Sequence, residues 1–415
     1  MIIYIEYLSS TDARYSVLNK NPDIQRIKQN TVLLYLIPLL LLGGNLIYLV
    51  FSGQIESVRG YYLIHYLYDY SHGFVARGLV GEVLSRFFDI ITDEITYGVM
   101  ILFDSLLVIS SSLCFGKALS RVKDDSFRFN CILFLIVLIC IFPFSFRSYH
   151  MDFKLDKLLW ALTLFAVFIA DNKIGIFLTP FICAAATMVN PVFLFCSMIL
   201  ISIILLQKLC DSKFSAKHIV ICFVAYSAMI AIGIYGTLNE KNLGFDNPTE
   251  MLNYYFSRYS GIIPDDVAER FVTEWIFEYF DSPGTIIKKA YDIYLVQWNN
   301  KPIVILNAIF FAVPVYTFLS IFWIDVIKAE EKKFQKFIFF LCLISPVVLI
   351  PPIVLSWESS KYFANNIMVQ LGLIIYYLAN NNQSVLSAVY KLKKRFGNNF
   401  VICSAAALYL ALLIK

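Results

Sequence analysis

Apolar runs about twenty residues long recur along the chain, separated by shorter stretches in which lysines, arginines and carboxylates collect. Such a run, coiled as a helix, spans a hydrocarbon core of about 30 Å. The pattern predicts crossings near 31–52, 96–115, 129–146, 157–171, 174–189, 191–207, 218–238, 303–325, 337–356, 362–379 and 400–414. The expected fold is all-α, a polytopic transmembrane helix bundle of about eleven spans, with ten to twelve as the working range. Residues 174–207 admit two readings: two short spans broken at Asn190-Pro191, or a re-entrant hairpin. Residues 1–30 read as a cytoplasmic N-terminal segment and 31–415 as one integral membrane domain, with outer loops at 53–95, 147–156 and 239–302. The first residues are polar and carry Arg14, Lys20, Arg26 and Lys28, so no cleavable signal peptide is expected.

One stretch departs from this pattern. Arg59–Asp93 is too charged to cross a bilayer and too aromatic for an ordinary solvated loop. At helical spacing it gives two amphipathic surface helices in the first outer loop, near 57–70 and 74–88, joined at Ser71-His72-Gly73. Such helices would hold Asp69, His72, Arg77, Glu82 and Arg86 at the headgroup plane. Gly73, Gly78 and Gly81 permit close backbone approach. Arg77 offers a planar donor fork suited to phosphate, and Asp69 and Glu82 are candidate general bases. The alternative is a solvated surface pair in which Glu82 and Arg86 are simply i,i+4 partners.

Composition supports the class: 59% of the 415 residues are hydrophobic and 15% charged, outside the usage of soluble domains. The net charge of +4 says little about partners, because the basic residues are sorted by side. With the N-terminus in the cytoplasm, the inner segments hold 20 of the 34 Lys and Arg, and the longer outer segments hold 14. That is the positive-inside distribution. The nine cysteines fall in predicted spans or, for Cys210, in an inner loop, which leaves no outer disulfide framework and no zinc-ligand spacing.

Three more outer segments carry candidate chemistry. Arg147–Lys157 crowds Arg147, His150, Asp152, Lys154 and Asp156 into a short turn. Asp152 and Asp156 share a helical face if the following span starts early, an arrangement suited to a divalent cation beside a phosphate. Snorkelling anchors are the competing explanation. The loop 239–302 interleaves Tyr254, Tyr255, Arg258, Tyr259, Trp275 and Trp298 with carboxylates, and predicts helical pieces at 248–259, 264–280 and 284–298. That mixture suits sugar rings, and equally an interfacial aromatic belt. Trp357–Lys361 is an ordinary charged helix end. Asp104 sits about two turns inside the second span, where an ionisable group normally faces protein or a cavity.

A cytoplasmic N-terminus, one span, and an outer loop of two surface helices bearing an acidic residue resemble the GT-C class of integral membrane glycosyltransferases. His72-Gly-Phe-Val-Ala-Arg77-Gly-Leu-Val-Gly81 also resembles an element of membrane proteins from bacterial surface-polysaccharide clusters. The acidic pair usual in the GT-C class is represented here by Asp69 alone. The resemblance implies transfer of a sugar from a polyprenyl-phosphate-linked donor to a glycan or lipid-linked acceptor, at the outer face of a bacterial cytoplasmic (inner) membrane. Asp69 would act as base, with Glu82 and Asp152 as alternates. Arg77, with Arg147 or Lys154, would hold the phosphate, and His72 and His150 complete the substrate-contacting set. No cofactor is fixed, a divalent cation being the single candidate. The partners implied are donor, acceptor and lipid bilayer, with no nucleic acid. An O-antigen or capsule polymerase shares the span count and the enlarged outer loops. A transporter or flippase would instead place polar residues at mid-membrane, and a non-catalytic envelope scaffold would leave the outer charges dispersed.

Overall fold

The computed structural model describes residues 22–53, 63–73, 77–121, 154–194, 197–210, 215–239, 244–263, 302–349 and 359–396, with the single positions 268, 288, 291 and 292. Every regular element among them is helical, and the one β contact is an isolated bridge between Ile91 and Tyr259. The expected crossings at 129–146 and 400–414 lie outside the described residues, as do most of the two later helical pieces of the long loop.

In chain order, α1 is Pro22–Phe51 and is followed by two short helices, α2 (Ile64–Leu67) and α3 (Leu79–Ser85). Then come α4 (Asp93–Arg121), α5 (Lys154–Ile169), α6 (Lys173–Val189), α7 (Ser197–Cys210) and α8 (Ala216–Asn239). The rest are α9 (Pro248–Phe256), α10 (Pro302–Ala329), α11 (Lys333–Ile344), α12 (Ser359–Ala379) and α13 (Gln383–Phe396). Helix α4, about 43 Å long at 1.5 Å per residue, is long and apolar enough to cross a membrane. Shorter apolar helical stretches occur at Ile174–Val189, Ser197–Lys208, Ala216–Ala228 and Asn365–Ala379.

The bundle forms around α4, which packs against α1, α5 and α12. Small residues set the closest approaches: a Cβ on Gly116 of α4 would run into the ring of Tyr35 on α1, and one on Gly372 of α12 would meet Leu200 of α7. One end of the bundle is marked by an ion cluster. Asp171, in the α5–α6 turn, pairs with Lys117 at 2.5 Å and with Lys208 at 3.1 Å. Lys117 also donates to the Phe168 carbonyl near the C-terminus of α5, where orphan carbonyls favour a cation. Because Lys208 of α7 reaches Asp171 just before α6, the α6–α7 pair returns to the end where it began. The two halves are joined at Asn190 and a 3₁₀ turn, Pro191–Leu194.

The first outer segment differs from its expected form. Residues 64–67 make a single helical turn, and every residue from Leu63 to Tyr68 is buried, so this part of the expected helix does not lie on a surface; residues 57–62 lie outside the described residues. Helix α2 touches α3 and α9, and Tyr66 lies over Phe103 of α4. Helical spacing of the aromatics misled here because tyrosine fits a polar or an apolar surroundings, so the period did not report one buried face. The second expected helix survives as α3, seven residues long. It packs flush on the preceding strand of chain, since a Cβ on Gly81 would overlap the backbone oxygen of Tyr68. Gly81→Ala is expected to lift α3 from Tyr68 and cost about 1–3 kcal/mol as an overpacking change, read as a lower Tm in detergent. Gly98→Ala, inside α4 with open space at the added atom, is the control expected to hold or raise Tm.

Candidate functional site

The site begins with the local logic of α9. Asn247 caps it, its side-chain oxygen accepting from the Glu250 N–H at 2.9 Å, and Pro248 takes the first helical position. Glu250 reaches back to the Asp246 N–H at 2.9 Å. The capped helix runs into Ser257–Ser260, which docks along the segment preceding α4. The Ile91 N–H donates to the Arg258 carbonyl at 2.7 Å, and Ser260 N–H returns to the Ile91 carbonyl at 3.1 Å. Tyr259 donates its hydroxyl to Asp93. The 244–263 segment is thereby fixed on the described residues of 63–93, and the two stretches form one platform.

Asp69 stands at its centre. The Arg258 Nη1 donates to Asp69 Oδ2 at 2.6 Å and to the Leu67 carbonyl at 2.8 Å, with side chains 13% and 10% exposed. Ser71 donates from both its N–H and its hydroxyl to Asp69 Oδ1, and the Tyr254 hydroxyl lies 3.5 Å from Oδ2. His72 sits between Phe245 and Tyr254, with ring centroids at 4.6 Å and 4.4 Å. Buried Tyr255 packs edge-on against Tyr68 at 4.9 Å. The result is a carboxylate–guanidinium pair, two hydroxyls and an aromatic cluster on one face.

Glu82 is adjacent but differently engaged. One oxygen accepts the Tyr70 N–H at 2.9 Å, and the other takes the Nε of Arg86 at 2.8 Å together with its Nη2. The Tyr70 N–H first, then Arg86, hold the Glu82 carboxyl below the usual carboxylate range. A lowered value means that the tether is complete above the ordinary carboxylate pKa and weakens only as pH falls through the lowered one. The i,i+4 pairing of Glu82 and Arg86 is therefore present, and Glu82 also ties α3 to the Asp69 segment.

Arg77 adopts φ +65°, the left-handed region that a non-glycine residue enters only under constraint, and its Nη1 lies 3.5 Å from His65 Nε2. Arg147, His150 and Asp152 lie outside the described residues. Lys154 is the first residue of α5. Asp156 points into the bundle, fully buried, where the Asn365 amide donates to it at 3.3 Å.

Asp156 belongs to a second polar group, inside the helices and under the platform. Lys157 pairs with Asp104 at 2.7 Å, with side chains only 3% and 1% exposed. Asn365 bridges Asp156 to the Trp160 indole N–H, and the Tyr316 hydroxyl donates to Asn366 at 2.9 Å. Tyr66 of α2 forms the lid of this group. Burial, then the negative charges of Asp104 and Asp156, push its phenol far above the ordinary range. Asp104 was legible as an expensive charge needing protein around it. Its partner was not, because Lys157 falls in the crowded turn whose charges read as surface anchors. Arg258 was also missed as a site residue. Its only local signal was a charge among aromatics. Among the described residues, no three His, Cys, Asp or Glu side chains converge on a common point.

A family model described as uncharacterised membrane protein Rv1490 matches residues 35–196, the part that carries Asp69, Glu82 and the Asp104–Lys157 pair but not Arg258 or Asn365. No curated protein and no solved structure matches the chain. The family match, with the apolar helices, makes this a membrane protein.

Proposed function

We propose that the protein is a multi-pass enzyme of a bacterial inner membrane, its N-terminus cytoplasmic. It transfers a sugar from a polyprenyl-phosphate-linked donor to a glycan or lipid-linked acceptor at the outer face. The observation that carries the reading is the docking of 244–263 on 63–93. It gathers Asp69, Arg258, Ser71, Tyr254 and the rings around His72 at one end of the bundle, opposite Lys117–Asp171–Lys208. Carboxylate, hydroxyls and rings together suit a sugar, which offers hydroxyl groups and apolar ring faces.

In this reading an acceptor hydroxyl takes the place of the Ser71 hydroxyl as donor to Asp69. Its oxygen attacks the anomeric carbon, the bond from that carbon to the phosphate oxygen breaks with its electron pair going to the phosphate, and the proton passes to Asp69. Arg77, held beside the platform, receives the charge that develops on the leaving phosphate.

Glycan analysis of the host surface with and without the gene tests this. Loss of one sugar substituent supports a transferase, chains collapsing to single repeats point to a polymerase, and an unchanged glycan overturns the reading. For the orientation, Ser71→Cys, which leaves an exposed thiol in place of an exposed hydroxyl, is expected to react with an impermeant thiol reagent in intact spheroplasts. Protection until lysis would reverse it.

A second reading rests on the Asp104–Lys157 pair with Asp156 and Asn365. Ionisable groups buried among apolar helices are a feature of transport pathways. Ion-dependent uptake into vesicles would favour it.

A further inference from the structure

We propose that α13 and the α10–α11 turn form a docking surface for the headgroups of an anionic phospholipid leaflet. Helix α13 buries Val385, Ala388, Val389 and Leu392, an i, i+3, i+4, i+7 stripe, against α10 and leaves Lys391, Lys394 and Arg395 exposed. Two tethers hold it: the Ser384 hydroxyl donates to Glu330 at 2.9 Å, and Arg395 pairs with Asp325 at 2.8 Å. These contacts are eleven residues apart on α13 and join it to Asp325 of α10 and to Glu330, just beyond the end of α10. They hold α13 against the C-terminal part of α10 and the turn that follows it.

The same tethers decide the charge of the surface. Asp325 is taken by Arg395, and Glu330 by Ser384 and the N–H groups of Glu331 and Lys332. Lys328, Lys332, Lys333, Lys391 and Lys394 are exposed, and among the described residues none of them has a carboxylate partner. Among the described residues of α13 and the α10–α11 turn, Glu331 is the one exposed carboxylate. Exposed Tyr390, Phe334 and Phe337 lie among these lysines in sequence and mark the depth at which rings meet headgroups. A cationic rim beside an aromatic band fits a lipid phosphate better than a soluble anion, which needs no ring next to it.

The test is the association of spin-labelled phosphatidylglycerol relative to spin-labelled phosphatidylcholine, measured on the full chain reconstituted in phosphatidylcholine bilayers. Wild type should prefer phosphatidylglycerol, and the preference should fall with added salt. The variant Lys391→Gln/Lys394→Gln, which keeps both tethers and the buried stripe, should lose up to about fivefold per lysine. Lys217→Gln, an exposed lysine at the start of α8 and not on α13, should lower the preference less than the double variant does. Equal preference in wild type and the double variant, or no preference in wild type, would overturn the proposal. None of these outcomes depends on whether the protein transfers sugars.

Discussion

Asp69→Asn is expected to reduce sugar transfer by about 10²–10⁴-fold, the range of a lost general base, with protein still present in the membrane. The backbone bonds of Ile91 to Arg258 and Ser260 still dock the platform in this variant. The substitution keeps the shape but only one of the two acceptor oxygens, so the side chain can go on accepting from Ser71 or from Arg258 and not from both. It removes the charge, and one charge-assisted contact to Arg258 weakens by an amount within about 1.5–3 kcal/mol. Partial exposure of the pair places the loss at the lower end of that range. Arg258→Met separates the roles. It breaks the same ion pair from the other side while leaving the carboxylate, so tethering alone predicts matching losses of protein and activity in both variants. Glycan per mole of membrane protein is the quantity to measure. Equal values for Asp69→Asn and wild type would remove Asp69 as the base and move attention to Glu82.

Lys157→Met should destabilise the fold by about 3–5 kcal/mol, because it strips Asp104 of its cation inside the bundle. The measurement is Tm in detergent and the amount recovered from membranes. Replacing both partners, Asp104→Leu with Lys157→Met, should restore most of the stability, since an apolar pair of similar volume often matches a buried ion pair. The restored variant then discriminates the two functional readings. A glycosyltransferase with its chemistry on the platform keeps activity when the ion pair becomes apolar. A transporter that moves an ion past Asp104 is folded and inactive.

The sequence reported the helices and little of what joins them. Apolar length locates α4, α5, α6, α7, α8, α10 and α12 close to their observed positions, because length and hydropathy are local properties. The start of α9 was equally legible from Asp246 before Asn247-Pro248, with Asn247 the residue that caps it. Where the reading failed, the deciding partner was remote. Residues 63–68 looked amphipathic until α4 and α9 covered both sides. Lys157 looked like an anchor because its partner, Asp104, lies 53 residues earlier. Arg258 looked like part of an aromatic belt because no period links it to Asp69, 189 residues away. Charge pairs between distant segments leave no trace in spacing, so the candidate site was legible as a region and not as a set of contacts.

That separation of Asp69 and Arg258 also has a time attached. A ribosome adds roughly 5–20 residues per second, so Asp69 precedes Arg258 by roughly 10–40 seconds. During that interval Asp69 lacks its guanidinium, His72 lacks both ring neighbours, and Ile91 has no bridge partner. The first loop must wait in water, not lipid, because an unpaired carboxylate is costly to bury in an apolar phase. The platform therefore closes late in synthesis, after α8 is made. A chain stalled before residue 258 would carry most of its helices and the whole stretch matched by the family model, yet display an open, uncompensated loop that quality-control proteases can reach.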